Sequence, residues 1–302
     1  MQTWFIFALA APLLWAIVNH IDKYVITKLP AKAGVRGLLT FSAIFAIVIV
    51  VIARIMMQDG QFLSLFVKAS LIVAGVVGTL AVYFYLKALE AAETSIVAPL
   101  MQFVPVFAYA MGIIFFNESF TLVQIVGAAI IILGAMVLSV DFRPRKEQFR
   151  KKVVGLMVVS SLFFAASQVL FKLVTIQDSF WIATYWQYIG IFLSGIVLII
   201  IPAFRKDFLM IFRKGNNRFV LPNILIQVFT IGGNMATNYA VILAPIAMVM
   251  LVASYQPVFV FAIGILGAIF FPAYIKDSLK KGLLVQKIAA IAFILLGSYL
   301  LY

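Results

Sequence analysis

The sequence predicts an all-α polytopic membrane protein with about ten transmembrane helices, arranged as two inverted five-helix repeats. Three observations carry that expectation. The first is composition: the 302 residues are 65% hydrophobic and 11% charged, with a mean hydropathy of +1.16. Soluble domains carry about 25% charged residues, so this chain has too little polar surface to clothe a globule in water. The second is an internal repeat. Around Pro105 the chain reads Ser95-Ile96-Val97 and then Phe103-Val104-Pro105-Val106-Phe107. Around Pro257, 152 residues later, it reads Ala247-Met248-Val249 and then Tyr255-Gln256-Pro257-Val258-Phe259. Leu13, Ala16, Asn19 and Lys23 find Leu162, Ala165, Gln168 and Lys172 at an offset of 149. Polar and proline positions align as well as apolar ones, which chance similarity between two greasy stretches does not require. The third is the placement of charge in short breaks between apolar runs.

A helix needs about 20 apolar residues to cross the hydrocarbon core. Runs of that size lie near residues 3–21, 37–57, 66–86, 94–116 and 121–140, and again near 153–174, 180–203, 219–242, 246–271 and 283–302. The domain reading follows: a first five-helix repeat over 1–140, a basic cytoplasmic linker over 141–152, and a second repeat over 153–302. An odd number of spans per repeat forces the second copy to insert upside down. The first run, from Thr3-Trp4, lacks a basic n-region and a small-residue cleavage site, and is expected to be a retained helix that doubles as the insertion signal.

Lysine and arginine set the orientation. Loops on one side hold Lys28, Lys32 and Arg36, six cations from Arg143 to Lys152, five from Arg205 to Arg218, and Lys276, Lys280 and Lys281. Loops on the other side hold Arg54 and Lys68. Seventeen against two puts the first side in the cytoplasm and both termini outside. The net charge of +13 is therefore a membrane-face signal, and nucleic acid is not an expected partner.

Polar side chains inside a span are functional candidates, because each costs free energy unless it faces protein or a wet cavity. The first span presents Trp15, Asn19 and Lys23 at steps of four, on one face. Lys23 and its repeat equivalent Lys172 each end a first span; snorkelling to the interface is the first reading, and a pair of cationic gates for an anionic solute the second. His20 and Asp22 beside Lys23 could carry a coupling proton, although a lone histidine at a helix end is more often structural. Glu90 and Glu93 fall in the solvated turn after the third span. Pro99 and Pro105 interrupt the fourth span and Pro257 the ninth, so Pro105 and Pro257 are candidate bending elements. Glu118, with Thr121, is expected to cap the fifth span, and Gly127 and Gly134 form a packing seam within it.

The sixth span offers Ser161, Gln168 and Lys172 at spacings of seven and four, and the eighth repeats that spacing with Gln227, Asn234 and Asn238. Thr184 and Tyr188 share a face of the seventh, with Gln187 beside them. Asn19, Gln168, Tyr188, Gln227, Asn234, Asn238 and Trp15 are the candidate solute-binding residues. Turned to a common axis, they would line a pocket of amides, hydroxyls and rings suited to a zwitterionic or polyhydroxyl solute. The alternative role is interhelical bonding, which is the first reading for Ser161 and Thr184.

The stretch Tyr85–Leu138 carries a family pattern: Ala88-Leu89, Ser95, Pro99-Leu100, Pro105-Val106-Phe107, Phe115-Phe116-Asn117-Glu118, Thr121 and Leu133-Gly134. It resembles the EamA-type domain of the drug/metabolite transporter superfamily, in which a small residue, Glu, two further residues and Thr precede the last span. Asn117 stands where that pattern usually has Gly. The second copy departs further, with Phe270-Phe271-Pro272 in place of the Glu turn and a basic loop inserted up to Gly282. The resemblance implies a secondary transporter of a small metabolite, such as an amino acid, working by alternating access in the plasma membrane. It implies cytoplasmic termini as the common arrangement, whereas the charge count gives the opposite orientation.

Two other functions stay open: a nucleotide-sugar or lipid-linked sugar carrier of the same superfamily, and a non-transporting scaffold or receptor. No cofactor or metal is expected. The chain has no Cys and one His, which leaves no thiolate or paired-histidine metal site, and it holds no HExxH, GxSxG or P-loop motif, so no enzyme is expected. The expected partners are a small solute, the bilayer and a candidate coupling proton; the sequence leaves oligomeric state undetermined.

Overall fold

A computed structural model of the protein describes residues 3–28, 34–57, 63–91, 97, 100–139, 151–175, 180–212, 220–270 and 281–301. Among these residues there is no strand, and the helices are α1 (Thr3–Lys28), α2 (Gly34–Phe45), α3 (Ile47–Met56), α4 (Leu65–Ala91), α5 (Phe103–Phe116) and α6 (Leu122–Ser139). They continue as α7 (Lys151–Thr175), α8 (Phe180–Ile200), α9 (Pro202–Ile211), α10 (Val220–Leu243), α11 (Ile246–Val252), a 3₁₀ turn (Ala253–Tyr255), α12 (Gln256–Phe270) and α13 (Lys281–Leu301).

Among the described residues, seven stretches are long and apolar enough to cross a membrane: Thr3–Ile21, Val35–Met56, Leu65–Ala88, Lys151–Thr175, Phe180–Ile200, Val220–Leu243 and Ile246–Leu266. Phe103–Phe116, Leu122–Val137 and Val285–Leu300 are shorter apolar helices. The outer surface is greasy, with Ile55, Leu65, Ile114, Leu122 and Val285 all at least two-thirds exposed. Lipid is the solvent in which such a surface costs nothing.

Small residues set how closely the helices approach. On α4, Ala74, Ala81 and Ala88 recur every seven residues and are fully buried. Ser167 and Ser160 of α7 donate 2.8 Å hydrogen bonds to the carbonyls of Ala74 and Ala81, so the two helices run antiparallel with hydroxyls clasping backbone. On the other face of α4, a Cβ at Gly75 would overlap the Gln187 carbonyl of α8, and one at Gly190 would overlap the Ile72 carbonyl of α4. These two glycine seats fix the rotation of α8 against α4. Gly127 of α6 and Gly297 of α13 likewise lie against each other's carbonyl oxygens, beside the fully buried Ile131 and Ile294.

Further pairings are α1 on α10, α5 on α7, α1 on α12, α3 on α8 and α5 on α11. Helix α1 seats the Trp15 ring on Gly233 of α10, where a side chain would strike the indole. The chain breaks just before each of the two matched prolines. Met101 and Gln102 form a turn before α5, and the 3₁₀ turn precedes α12. Pro105 and Pro257 therefore lie in first turns, where a missing N–H has no intrahelical partner to lose. That corrects the expectation of prolines interrupting continuous helices: the interruption comes two to four residues earlier. Pro12, which the sequence reading did not single out, lies inside α1. Pro99, Glu93 and the linker residues 141–150 lie outside the described residues.

Candidate functional site

Two polar clusters stand out, one of amides between α8 and α10, the other an ion pair at the end of α7. The first begins with helix periodicity. Asn234 and Asn238 are one turn apart on α10, and Gln187 and Tyr188 are consecutive on α8, whose rotation the Gly75 and Gly190 seats fix. Asn238 Nδ2 donates a 2.7 Å hydrogen bond to Gln187 Oε1, with both side chains buried. Asn234 lies beside the Tyr188 hydroxyl. The structure thus brings together Tyr188, Asn234 and Asn238, and adds Gln187.

What these groups leave unpaired matters more. Asn238 Oδ1, Thr184 Oγ1 and Gln168 Oε1 are buried without a hydrogen-bond partner. A buried polar atom left unpaired costs roughly 1–3 kcal/mol, so three of them on α7, α8 and α10 are an expensive feature for a purely structural seam. Thr184 was expected to tie helices; it bonds to no neighbour. Ser161 behaves closer to expectation, reaching the Leu100 carbonyl at 3.5 Å. Gln227 is buried on α10, two turns before Asn234, while Trp15 and Asn19 are half-buried on α1.

The second cluster corrects two expectations. Asn117 ends α5 with φ +51°, a left-handed conformation that glycine adopts most easily and asparagine next. Its N–H and that of Glu118 both bond to the Gly112 carbonyl. The turn reverses the chain and delivers Glu118 inward. There the Lys172 ammonium donates to Glu118 Oε1 at 2.8 Å and to the Ala244 carbonyl at 2.8 Å, 4.8 Å above the Phe116 ring. The Ile246 N–H donates to the same Glu118 Oε1 at 2.9 Å.

Lys172 does not snorkel: it is 8% exposed, because three neighbours replace its water. Glu118 does not cap the fifth span either. Thr121 and Gln124 do so reciprocally, Thr121 N–H to Gln124 Oε1 at 3.0 Å and Gln124 N–H to Thr121 Oγ1 at 3.3 Å. The Lys172–Glu118 pairing was missed because a sequence shows each residue's helix position and not its partner's. The one available signal was that both lie at span ends on the same side of the membrane.

His20 Nε2 donates to the Val260 carbonyl at 3.0 Å, tying α1 to α12. Asp22 and Lys23 belong to the backbone of α1, and their side chains lie outside the described residues. Glu90, expected in a turn, lies instead in the last turn of α4, where it is exposed and pairs with Lys87 at 2.7 Å.

The profile of the EamA-like transporter family matches residues 2–140. Those residues form an EamA-like domain. That stretch is similar to membrane transporters of the drug/metabolite transporter superfamily, and the described helices long and apolar enough to cross a membrane mark a multi-pass membrane protein. The Asn117–Glu118 turn and the Thr121 cap belong to this EamA-like domain, while Lys172, Ala244 and Ile246, which meet Glu118, lie beyond it. An uncharacterized protein of Methanocaldococcus jannaschii is 27% identical over 141 residues, covering 47% of this chain and 99% of the relative. A solved crystal structure shares the fold over the whole length, with a TM-score of 0.65 at 14% identity, covering 99% of this chain and 98% of that one.

Proposed function

We propose that the chain is a ten-span secondary transporter that moves a small metabolite, an amino acid or related compound, across the plasma membrane by alternating access. The observation that carries this reading is the Gln187–Asn238 bond together with the buried, unpartnered oxygens on Asn238, on Thr184 of α8 and on Gln168 of α7. Such atoms are stable in a transporter because a solute's N–H and O–H groups complete them. Amide oxygens accept and hydroxyls do both, so the site suits a solute rich in donors and carrying no large net charge.

Ten spans follow if the three shorter apolar helices also cross. Helix α5 covers about 21 Å of a ~30 Å core at 1.5 Å per residue. Two inverted repeats are supported by the helix pairings. If α1 corresponds to α7 and α4 to α10, then α4 on α7 and α1 on α10 are the same contact seen from each half. A two-fold relation demands such exchanged pairs, together with self-pairs such as α6 on α13. The half-length relative fits a unit of five spans. The charge count supports extracytoplasmic termini.

Reconstituted protein should exchange labelled solute across proteoliposomes when offered a panel of amino acids, sugars and phosphorylated solutes. The amino-acid class is the expected cargo, and transport should be lost in Asn234→Leu and Asn238→Leu while expression and folding persist. Normal transport in both variants overturns the site; no exchange of any solute overturns the function.

A further inference from the structure

We infer that the outward face of α9 binds an anionic phospholipid, with Arg205 and Lys206 holding the headgroup phosphodiester and Leu209 and Phe212 lying against its acyl chains. Such a site requires only that the chain spans a membrane, whatever solute it carries. Helix α8 runs through 21 residues without a charge; after the extended break at Ile201, the ten residues of α9 carry Arg205, Lys206 and Asp207. A Cβ at Gly37 of α2 would overlap the Asp207 carbonyl, and the Phe208 and Phe212 rings lie 6.5 and 6.2 Å from that of Phe41. Gly37 is near the start of the crossing stretch Val35–Met56, and Ile200 is the last residue of Phe180–Ile200. Both stretches therefore end beside α9, which puts this charged helix at the boundary between hydrocarbon and water.

The two faces of α9 are unlike. Inward, Ile211 is buried, the Phe204 ring lies 6.0 Å from the Arg36 guanidinium, and the Asp207 carboxylate is 3.7 Å from Arg36 Nε. The one acid of this helix is thus matched by α2. Outward, Arg205, Lys206, Leu209 and Phe212 share a side of the helix and are all exposed, Leu209 at 54% and Phe212 at 49%. Among the described residues neither Arg205 nor Lys206 pairs with a carboxylate. The first turn of α9 holds no acid, so both cations stand toward the positive end of the helix dipole, where an anion is favoured. A helix facing water exposes polar groups; this one exposes cations and large apolar side chains together, a combination that a headgroup and its chains complement. The exposed apolar surface continues onto α8 at Ile200 and Val197, which gives an acyl chain a path into the core. Arg205 can bind two phosphate oxygens at once and Lys206 adds a point charge. A headgroup with net negative charge is therefore favoured over one whose own choline ammonium offsets the phosphate.

The delipidated full chain in detergent micelles, titrated with dioleoyl phosphatidylglycerol or dioleoyl phosphatidylcholine, reports the first bound lipid by native mass spectrometry. The parent should prefer phosphatidylglycerol. Each cation near a charged headgroup is worth about fivefold in affinity, so Arg205→Gln with Lys206→Gln should weaken phosphatidylglycerol binding about twenty-fivefold and leave phosphatidylcholine unchanged. Either single variant should show the fivefold loss if the double variant fails to fold. Leu209→Gln should weaken both lipids about tenfold. Lys151→Gln with Lys152→Gln removes two exposed cations at the start of α7 and should keep the parent's affinities. Equal binding of the two lipids by the parent overturns the proposal, and so does an equal loss in the α7 control, which would make net charge the cause. A parent dimer that the Arg205→Gln, Lys206→Gln variant abolishes would give this face to a second copy of the chain and overturn it. Full affinity in Leu209→Gln, with inorganic phosphate displacing the lipid, would make the seat one for free phosphate and overturn it as well.

Discussion

Ser254 donates a 2.6 Å hydrogen bond to Gln102, a buried contact between residues 152 positions apart. That separation is also the offset between Pro105 and Pro257, so on the proposed two-repeat reading the two partners occupy equivalent places. Residues in equivalent places touch only where they lie close to the axis that relates their units. On the proposed alternating-access reading, the bond lies near the axis about which the two halves would rock, between the turn before α5 and the 3₁₀ turn.

Breaking that bond should loosen the junction without emptying the site. Ser254→Ala leaves the Gln102 amide oxygen unpaired, and a loss of roughly 1–3 kcal/mol is expected. Thermal unfolding in detergent measures it; an unchanged midpoint would mean that water or a neighbour satisfies Gln102 as well as Ser254 does.

The amide pair carries a separate expectation. Gln187→Leu removes the acceptor of Asn238 Nδ2 and should lower transport at limiting solute about tenfold, the worth of one hydrogen bond near 1.4 kcal/mol. Leu193→Ala, on the exposed side of α8, should leave uptake at the parent's level. Equal loss in both variants would point to general damage to α8.

Glycine 75 is expected to tolerate no side chain. A methyl there collides with backbone of α8 at Gln187, and backbone cannot swing aside as a side chain can. Gly75→Ala should cost about 1–3 kcal/mol by overpacking and should reduce transport, since α8 carries Gln187 and Tyr188. A stable, fully active Gly75→Ala protein would show that the α4–α8 contact does not position the site.

For the ion pair, the order of stabilities is diagnostic. Lys172→Met strands the buried Glu118 carboxylate and should destabilise by about 3–5 kcal/mol. The double variant Lys172→Met with Glu118→Gln removes both charges and should recover much of that loss. If the double variant is no better than Lys172→Met alone, the pair is not the source of the cost.

Orientation can be checked with the cysteine-free chain. Lys146→Cys should be shielded from an impermeant thiol reagent in intact cells and Asn117→Cys should react. The reverse pattern would place both termini in the cytoplasm.

The sequence by itself determined the membrane class and the helical makeup, because lipid leaves a spanning backbone few structures to adopt and composition alone reports that constraint. It also determined which polar side chains share a helical face, as with Asn234 and Asn238, since that follows from 3.6 residues per turn. The prolines gave the neighbourhood of the two helix breaks, though not the turns at Met101–Gln102 and Ala253–Tyr255 that precede them. Only the tertiary structure decided what each face meets. Thr184 has the same periodicity as Tyr188 whether it bonds a helix or a solute, and Lys172 sits at a span end whether it reaches for water or for Glu118 across 54 residues. A charge is buried or solvated according to whether a partner arrives, and the arrival of Glu118 depends on the left-handed turn at Asn117 and on the packing of two halves. Periodicity is a local property of one helix; partnership is a property of how two helices are held, and small residues such as Gly75 and Ala81 hold them.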